Sequence, residues 1–286
     1  MGLSGTGLVA YTTFSYMTLS RNAEIVQPLP EDFDPVQRYD AQARTFDSEV
    51  KWQEYFWGIS TLRRRMTSEA SGHVLESAAG TGRNAGYFEE RNCKSITFMD
   101  PSGPMLEVAR KKWEDSHRFS KEEKRVPVRW LEESTTGEVP MPEGQPVGYD
   151  VVIQTMGLCS TEDPVEMLKS LGRLGRPGGR ILLLDHGRFH YDTMNKALDG
   201  SATDHAKKYG CWWNRDIEAI VRESGLEVVE QRRHALGTMY EFELKPFSRE
   251  DRQKMEATEA KSLRATTSSP PKPKETKSAY SWWWRS

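Results

Sequence analysis

Five short runs of mainly apolar residues recur along the middle of the chain: His73–Ala78, Ser95–Met99, Val126–Leu131, Tyr149–Gln154 and Arg180–Asp185. Each has the length of a strand and is bounded by turn or charged residues, the pattern of strands buried in a sheet. A helix is expected in each connection. A-G-Y-F-E-E follows the first run and Pro104–Trp113 the second. Pro164–Leu174 starts behind Asp163, an N-cap residue with proline in the first helical position. Gly178-Gly179 then turns into the fifth strand. Such alternation predicts an α/β domain with a parallel, doubly wound sheet and excludes an all-α or all-β domain.

The flanks follow other patterns. Pro35–Glu69 suits one or two helices, with Val50, Trp52, Tyr55, Phe56, Ile59 and Leu62 expected to pack on a core or lid. Beyond the fifth strand, Gly187–Trp213 is rich in His, Tyr and Trp. Asn214 is read as the cap of R-D-I-E-A-I-V-R-E-S, which Gly225 ends. Leu226–Arg232 and Thr238–Leu244 read as two closing strands around a turn at Gly237.

Composition adds the domain plan. Mean hydropathy is −0.72 and 29% of residues are charged, which describes a soluble globule with polar extensions. A net charge of −2 over 286 residues gives no general drive toward nucleic acid, and no nucleic-acid partner is expected. Residues 1–21 hold an uncharged stretch, Gly2–Ser20, closed by Arg21; it is read as an N-terminal membrane anchor, with a disordered or surface-packed arm as the alternative. M-G-L-S-G-T also fits a myristoylation pattern at Gly2. Residues 22–34 are polar and proline-punctuated, a linker; 35–246 form the folded domain. In the tail, 247–286, nine Lys/Arg stand against five Asp/Glu. There a charged, helix-prone piece, Ser248–Leu263, leads into a Pro/Lys-rich stretch expected to be disordered. Cys93, Cys159 and Cys211 lie far apart without a C-x-x-C pair, so neither a disulfide framework nor a metal site is expected.

The stretch with most chemistry in it is V-L-E-S-A-A-G-T-G-R-N, Val74–Asn84. Gly80 and Gly82 permit a tight strand-to-helix turn and leave room for a ligand against the backbone. Asp100 closes the next strand, S-I-T-F-M-D, where an acid can hold a ribose diol. The two features together point to an adenosine-type cofactor, with NAD as an alternative to the one named below.

Those residues, with F-M-D-P-S-G-P-M-L-E-V-A-R, Y-D-V-V-I-Q-T-M-G-L-C-S and G-R-P-G-G-R-I-L-L-L-D-H-G-R, resemble a class I S-adenosylmethionine-dependent methyltransferase over about Arg38–Pro246. G-L-C-S-T-E-D-P and Y-G-C-W-W-N-R-D-I are similar to the fungal mitochondrial, membrane-anchored branch. The resemblance implies a Rossmann-like seven-stranded sheet, mostly parallel, with an antiparallel C-terminal hairpin. It implies S-adenosyl-L-methionine as cofactor, and it places a Tyr-Asp pair ahead of the first strand, here Tyr39-Asp40, near the methionine end. A surface pair with no role is the alternative. The family's E-x-G-x-G-x-G has Ala78 in its first glycine position.

For that cofactor, Asp100 would bind the ribose hydroxyls and Met105 or Pro101 would lie against the adenine. Glu133 would accept from the adenine amino group, although W-L-E-E-S leaves Glu132 as an alternative. The backbone of Ala78–Gly82, including Thr81, and Glu76 would meet the methionine end; Glu76 is otherwise a loop-ordering acid. Gln154, Thr155, Asp185 and His186 end the fourth and fifth strands, where open α/β sheets bind ligands. His186 is the candidate general base with Asp185 beside it, the alternative being a histidine that orders the loop through its backbone contacts. His205, Cys211, Trp212 and Trp213 are expected to shape a substrate lid. The acceptor is expected to be a small, apolar or lipid-like molecule, reached from a membrane through the N-terminus. A methyltransferase acting on RNA or protein, and a cofactor-binding scaffold without turnover, are the competing functions.

Overall fold

The computed structural model describes residues 33–117 and 125–268. It divides into two units, Met1–Phe247 and Ser248–Ser286. The first begins with three helices, α1 (Pro35–Gln42), α2 (Phe46–Phe56) and α3 (Ile59–Ser68). Then come β1 (Gly72–Ser77), β2 (Cys93–Asp100), α4 (Gly103–Ser116), β3 (Val128–Glu132), β4 (Tyr149–Thr155), α5 (Pro164–Leu174), β5 (Gly175–His186), α6 (Asp192–Tyr209), α7 (Ile217–Ser224), β6 (Glu227–His234) and β7 (Met239–Lys245). The second unit contains helix α8, Arg249–Ser268, which extends past the helix-prone stretch into T-T-S. The anticipated anchor and the rest of the tail lie outside the described residues. Among the described residues, no helix is long and apolar enough to cross a membrane.

The seven strands form one sheet in the order β3-β2-β1-β4-β5-β7-β6. The first five in that order pair in parallel, whereas β7 pairs antiparallel with both β5 and β6. Central strands are buried on both faces, with Leu75, Phe98, Ile153 and Leu183 fully enclosed. Phe98 gathers Phe88 edge-on (5.6 Å), Trp113 (5.6 Å) and a stacked Trp130 (4.6 Å). Such ring pairs add to area burial. Strand order reverses between β1 and β4, so the turns leaving their carboxyl ends diverge and open a crevice.

Three expectations about elements are corrected. Among the described residues, the β1–β2 and β3–β4 connections hold no α-helix. After β1 there are only two short 3₁₀ turns, Ala85–Tyr87 and Glu90–Asn92. Phe88 takes an extended conformation between them to reach the core, and Gly82, Asn84 and Gly86 are poor helix formers. Asn214 does not cap α7: its amide donates to Asp199 (2.9 Å), while Asp216 accepts from the Ala219 amide (2.9 Å). Trp52, Tyr55 and Phe56 are not core; they are 64%, 70% and 54% exposed, because the inward face of α2 carries Glu54 instead.

Candidate functional site

The turn after β1 takes left-handed backbone at Ala78, Gly80 and Gly82, with φ of +49°, +53° and +69°. A Cβ on Gly80 would meet nothing within 4 Å, so its backbone faces open space. A Cβ on Gly82 would fall 2.8 Å from the Ala109 Cβ on α4. One glycine therefore leaves room for a ligand and the other for a helix. The Ala78 methyl is matched across the crevice: a Cβ on Gly157 would lie 2.7 Å from it.

Asp100 is 8% exposed and accepts the Gly80 amide at Oδ2 (2.8 Å) and the Ser102 amide at Oδ1 (2.9 Å). Burial pushes its carboxyl up to about 6 despite those two N–H groups. Each oxygen keeps a second lone pair for a ligand hydroxyl. Ser102 caps α4 through the Met105 amide (3.2 Å) and donates its own hydroxyl to Asp40 (2.5 Å), which ties α1 to this corner.

The rest of the turn is held by buried charge. Arg83 binds Glu54 through Nε (2.9 Å) and Nη2 (2.6 Å), and reaches Asp47 (2.9 Å). Asp47 also takes Thr81 Oγ1 (2.7 Å) and Lys112 (2.6 Å). Arg63 on α3 donates to Glu54 (3.1 Å), Asn84 (3.2 Å) and Thr155 (2.6 Å). Burial works to raise the Glu54 carboxyl, but the two guanidinium groups outweigh it and hold it below its ordinary value. Two helices ahead of the sheet thus clamp the glycine turn. Asp47 and Glu54 are seven positions apart, which puts both on one helix face. That spacing was the signal in the sequence for this clamp.

The opposite side of the crevice is built from sulfur and aromatic rings. Cys159 follows β4, His186 ends β5 and Cys211 follows α6. His186 Nε2 lies 3.0 Å from Cys211 Sγ, and the ligand-type atoms of all three residues lie within 4.8 Å of one another. Burial lowers the His186 imidazole, yet the adjacent Cys159 and Asp185 outweigh it and raise it to about 9. His205 Nδ1 donates to the Cys211 carbonyl (2.8 Å) and the ring stacks on Trp213 (4.0 Å), and burial pushes it down to about 4. The Tyr39 and Ser160 hydroxyls meet at 2.6 Å.

Between these sides lies a cavity of about 1490 Å³. Of the residues singled out from sequence, Tyr39, Ala78, Gly80, Thr81, Asp100, Pro101, Met105, Glu133, Thr155 and His186 line it, as do His205, Cys211 and Trp213 of the expected lid. Glu133 lines the wall, whereas the Glu132 carboxylate sits against Gly103. Glu76, Gly82, Gln154 and Asp185 are not on the wall. Glu76 is 1% exposed and bound to Asn84 (3.0 Å); burial pushes its carboxyl up to about 8. Its Oε2 has no partner among the described residues. Asp185 is enclosed, accepting the amides of Gly157 (3.0 Å), Leu158 (2.8 Å) and His186 (2.9 Å). The Gln154 amide is packed under the same turn, its oxygen suited to the Gly157 amide (2.6 Å). These two side chains order a loop and do not reach into the cavity. Against the expectation drawn from their spacing, Cys159 and Cys211 meet in one cluster with His186, which sequence spacing does not show because the three residues are scattered along the chain.

The fold, the glycine turn and the acid ending β2 define the class: the chain belongs to the methyltransferase-domain family, whose profile matches residues 50–231, and the cofactor of this class of enzyme is S-adenosylmethionine. Methyltransferase OMS1, mitochondrial, of Saccharomyces cerevisiae is 36% identical over 217 residues, covering 72% of this chain and 45% of that protein. A ubiquinone/menaquinone biosynthesis C-methyltransferase, UbiE of Shewanella sediminis, is 25% identical over 170 residues, covering 57% and 64%. The chain therefore spans about half to two thirds of the length of these relatives. In fold it is similar to a SAM-dependent methyltransferase of Leishmania major, with a TM-score of 0.53, 16% identity, and coverage of 74% of this chain and 81% of that one.

The residues present fit the cofactor. Open space beside Gly80, spare lone pairs on Asp100 at the cavity wall and apolar Met105 match a backbone-facing tail, a ribose and a purine respectively. At about 1490 Å³ the cavity exceeds what a single drug-sized ligand needs, leaving space for an acceptor.

Proposed function

We propose that this domain transfers the methyl group of S-adenosylmethionine to a small, apolar acceptor drawn from a membrane. The observation that carries this is the apolar part of the cavity wall, to which Val36, Phe46, Trp57, Met194, Leu198 and Trp213 contribute. An apolar wall of this size suits a quinone-like or lipid-like molecule and offers little to a charged one. Trp52, Tyr55 and Phe56 cluster on the exposed face of the same α2 whose Val50 and Gln53 line the cavity. Amphipathic rings in such a position suit a membrane interface.

When bound, the cofactor supplies a methyl group on a sulfonium, already activated for displacement. The chain's contribution is to bind, align and exclude water. Asp100 would hold the ribose hydroxyls, Met105 and Pro101 the adenine face, and Glu133 the adenine amino group. The backbone from Ala78 to Thr81 and Tyr39 would flank the methionine end. Asp185 fixes the turn that carries Cys159 and the backbone of His186, so that His186 stands at the acceptor end. The N-terminal residues 1–21 are proposed as a membrane contact, and a mitochondrial location agrees with the description of the yeast relative.

The test is calorimetric titration of S-adenosylmethionine into the full chain and into Asp100→Ala, followed by label transfer to quinone and lipid extracts, RNA and protein. Binding lost in the variant and label entering the quinone or lipid fraction is the expected result. Label entering only RNA or protein would sink the acceptor class, and absence of binding by the folded chain would sink the methyl-transfer reading. Fractionation of cells expressing a chain without Gly2–Ser20 tests the anchor: release from membranes is expected.

A further inference from the structure

We propose that Cys159, His186 and Cys211 form a binding site for a single thiophilic divalent metal ion, zinc foremost, with its fourth position open to the cavity. Three separate elements deliver one ligand each, and the ligand atoms already lie within 4.8 Å of one another. Zinc bonds of about 2.3 Å to sulfur and 2.0–2.1 Å to nitrogen put tetrahedral ligand atoms roughly 3.5–3.8 Å apart. His186 Nε2 and Cys211 Sγ, at 3.0 Å, need only move slightly apart to admit an ion. Two thiolates and one imidazole are a donor set that favours zinc over magnesium or calcium.

The supports of the cluster match what a metal site requires. Asp185 accepts amides from the turn carrying Cys159 and from His186 itself, locking two of the three ligand positions together. The Trp212 amide donates to the Cys159 carbonyl (2.8 Å), and Arg215 donates to the carbonyls of Leu158 (2.8 Å) and Thr161 (2.5 Å). These bonds join the third ligand's loop to the first. His205 holds the Cys211 carbonyl. Ordinary core cysteines have no need of such a frame; ligands held at fixed separation do.

All three residues line the cavity, and on that side stand the paired hydroxyls of Ser160 and Tyr39, with Ser160 Oγ 3.4 Å from Cys159 Sγ. Three protein ligands and one open place is the pattern of a zinc ion that acts on a substrate. On the methyl-transfer reading proposed above, on which this step rests, the acceptor is a hydroxyl or thiol. It would bind the ion as its anion and release its proton to solvent. The oxygen or sulfur lone pair then forms the bond to the methyl carbon as the carbon–sulfonium bond breaks, its electron pair leaving with the now neutral thioether. The ion's part is to make the anion available near neutral pH.

The full chain, purified under reductant without chelator, is analysed for zinc by mass spectrometry and titrated with Co²⁺ in parallel. About one zinc per chain and an intense ultraviolet thiolate-to-cobalt band are expected. Cys159→Ser and Cys211→Ser should each weaken Co²⁺ binding by tenfold or more and diminish that band. Failure of the wild-type chain to retain zinc or develop the band overturns the site, and it does so without relying on any variant to fold. Binding of S-adenosylmethionine, measured on the same preparations, separates the two readings. Cofactor binding without metal overturns only the metal site, whereas metal without cofactor overturns only the methyl-transfer reading. If both bind, label from the metal-loaded chain entering carbon-only acceptors as readily as phenols or thiols overturns the acceptor step.

Discussion

The two sides of the cavity hold their loops by opposite means. On the cofactor side, Arg63, Glu54, Arg83, Asp47 and Lys112 form a largely buried ion-pair chain, and every loop residue from Thr81 to Asn84 except Gly82 is bound to it by its side chain. On the acceptor side, backbone groups are bound by single side chains, and the wall itself is thiol, imidazole and indole. A charged clamp is directional and fixes one geometry, which suits a cofactor of constant shape. An apolar wall with a few oriented groups tolerates a less polar and more variable guest. The difference supports the proposed assignment of cofactor and acceptor to the two ends of the cavity.

The sharpest way to break that contrast is Arg63→Met. Arg63 and Glu54 have side chains only 5% and 9% exposed, and the loss also strips a donor from Asn84 and Thr155. Breaking a buried pair costs about 3–5 kcal/mol. Because Arg83 still holds Glu54, the low end, about 3 kcal/mol, is expected in urea unfolding of the full chain. A change below about 1 kcal/mol would mean that the clamp is no more than a surface-type pair.

Next in size is Asp100→Asn, which should weaken S-adenosylmethionine binding by about 2 kcal/mol, the worth of hydrogen bonds to a charged acceptor, or roughly 30-fold. The pH dependence sharpens it. With the carboxyl raised to about 6, wild-type affinity should fall between pH 7 and pH 5 as the group is protonated, while the Asn variant stays flat. Stability of the cofactor-free chain should move the other way. The folded state holds this proton more tightly than the unfolded one, whose carboxyl keeps its ordinary value of 3.8, so acidification through 6 toward 4 favours folding at this site. Equal pH profiles in the two proteins would remove Asp100 from the cofactor's ribose.

On the acceptor side a smaller effect is expected. Trp213→Phe keeps a ring stacked on His205 but loses the bond from Nε1 to the Leu198 carbonyl (3.1 Å). A cost of about 1 kcal/mol follows, with cofactor affinity unchanged. A variant that lost cofactor affinity as strongly as Asp100→Asn would erase the division between the two sides.

How far this division is legible in the sequence depends on which side is considered. The strands and the glycine turn were readable because burial on two faces and left-handed backbone leave strong local marks, as at Val74–Asn84. Asp100 was readable because its place follows from strand order. On the other side His186, His205, Cys211 and Trp213 were readable one by one, and all four line the cavity, but the meeting of Cys159 with His186 and Cys211 was not, since it comes about only through the return of three different segments to one end of the sheet. The missing first helix was hidden for another reason. A-G-Y-F-E-E holds three good helix formers, Ala85, Glu89 and Glu90, beside the poor Gly86, but Phe88 enters the core, and Asn84 turns inward to Glu76 and Thr155. Tertiary burial there overrides local propensity.

Ala78 gives the smallest effect and the finest test of how the two sides meet. An L-residue in left-handed backbone costs roughly 1–2 kcal/mol, and Ala78 sits at φ +49°. Glycine relieves that but adds about 0.4–1 kcal/mol of unfolded-chain entropy. It also empties the space that the methyl fills against Gly157, so Ala78→Gly should be stabilising by no more than about 0.5 kcal/mol. The coupling is more telling than the single value. Gly157→Ala alone would place a Cβ 2.7 Å from the Ala78 methyl and 2.3 Å from the end of the Gln154 side-chain amide, closer than Cβ atoms come without a shift. Overpacking of this kind costs about 1–3 kcal/mol. Removing the Ala78 methyl in the same chain relieves one of the two clashes, so the double variant should be more stable than the sum of its parts by about 1 kcal/mol, a value within reach of a double-mutant cycle. Strict additivity would show that the β1 and β4 turns do not bear on each other, and that the alanine in the family's first glycine position is tolerated for some reason other than the glycine facing it.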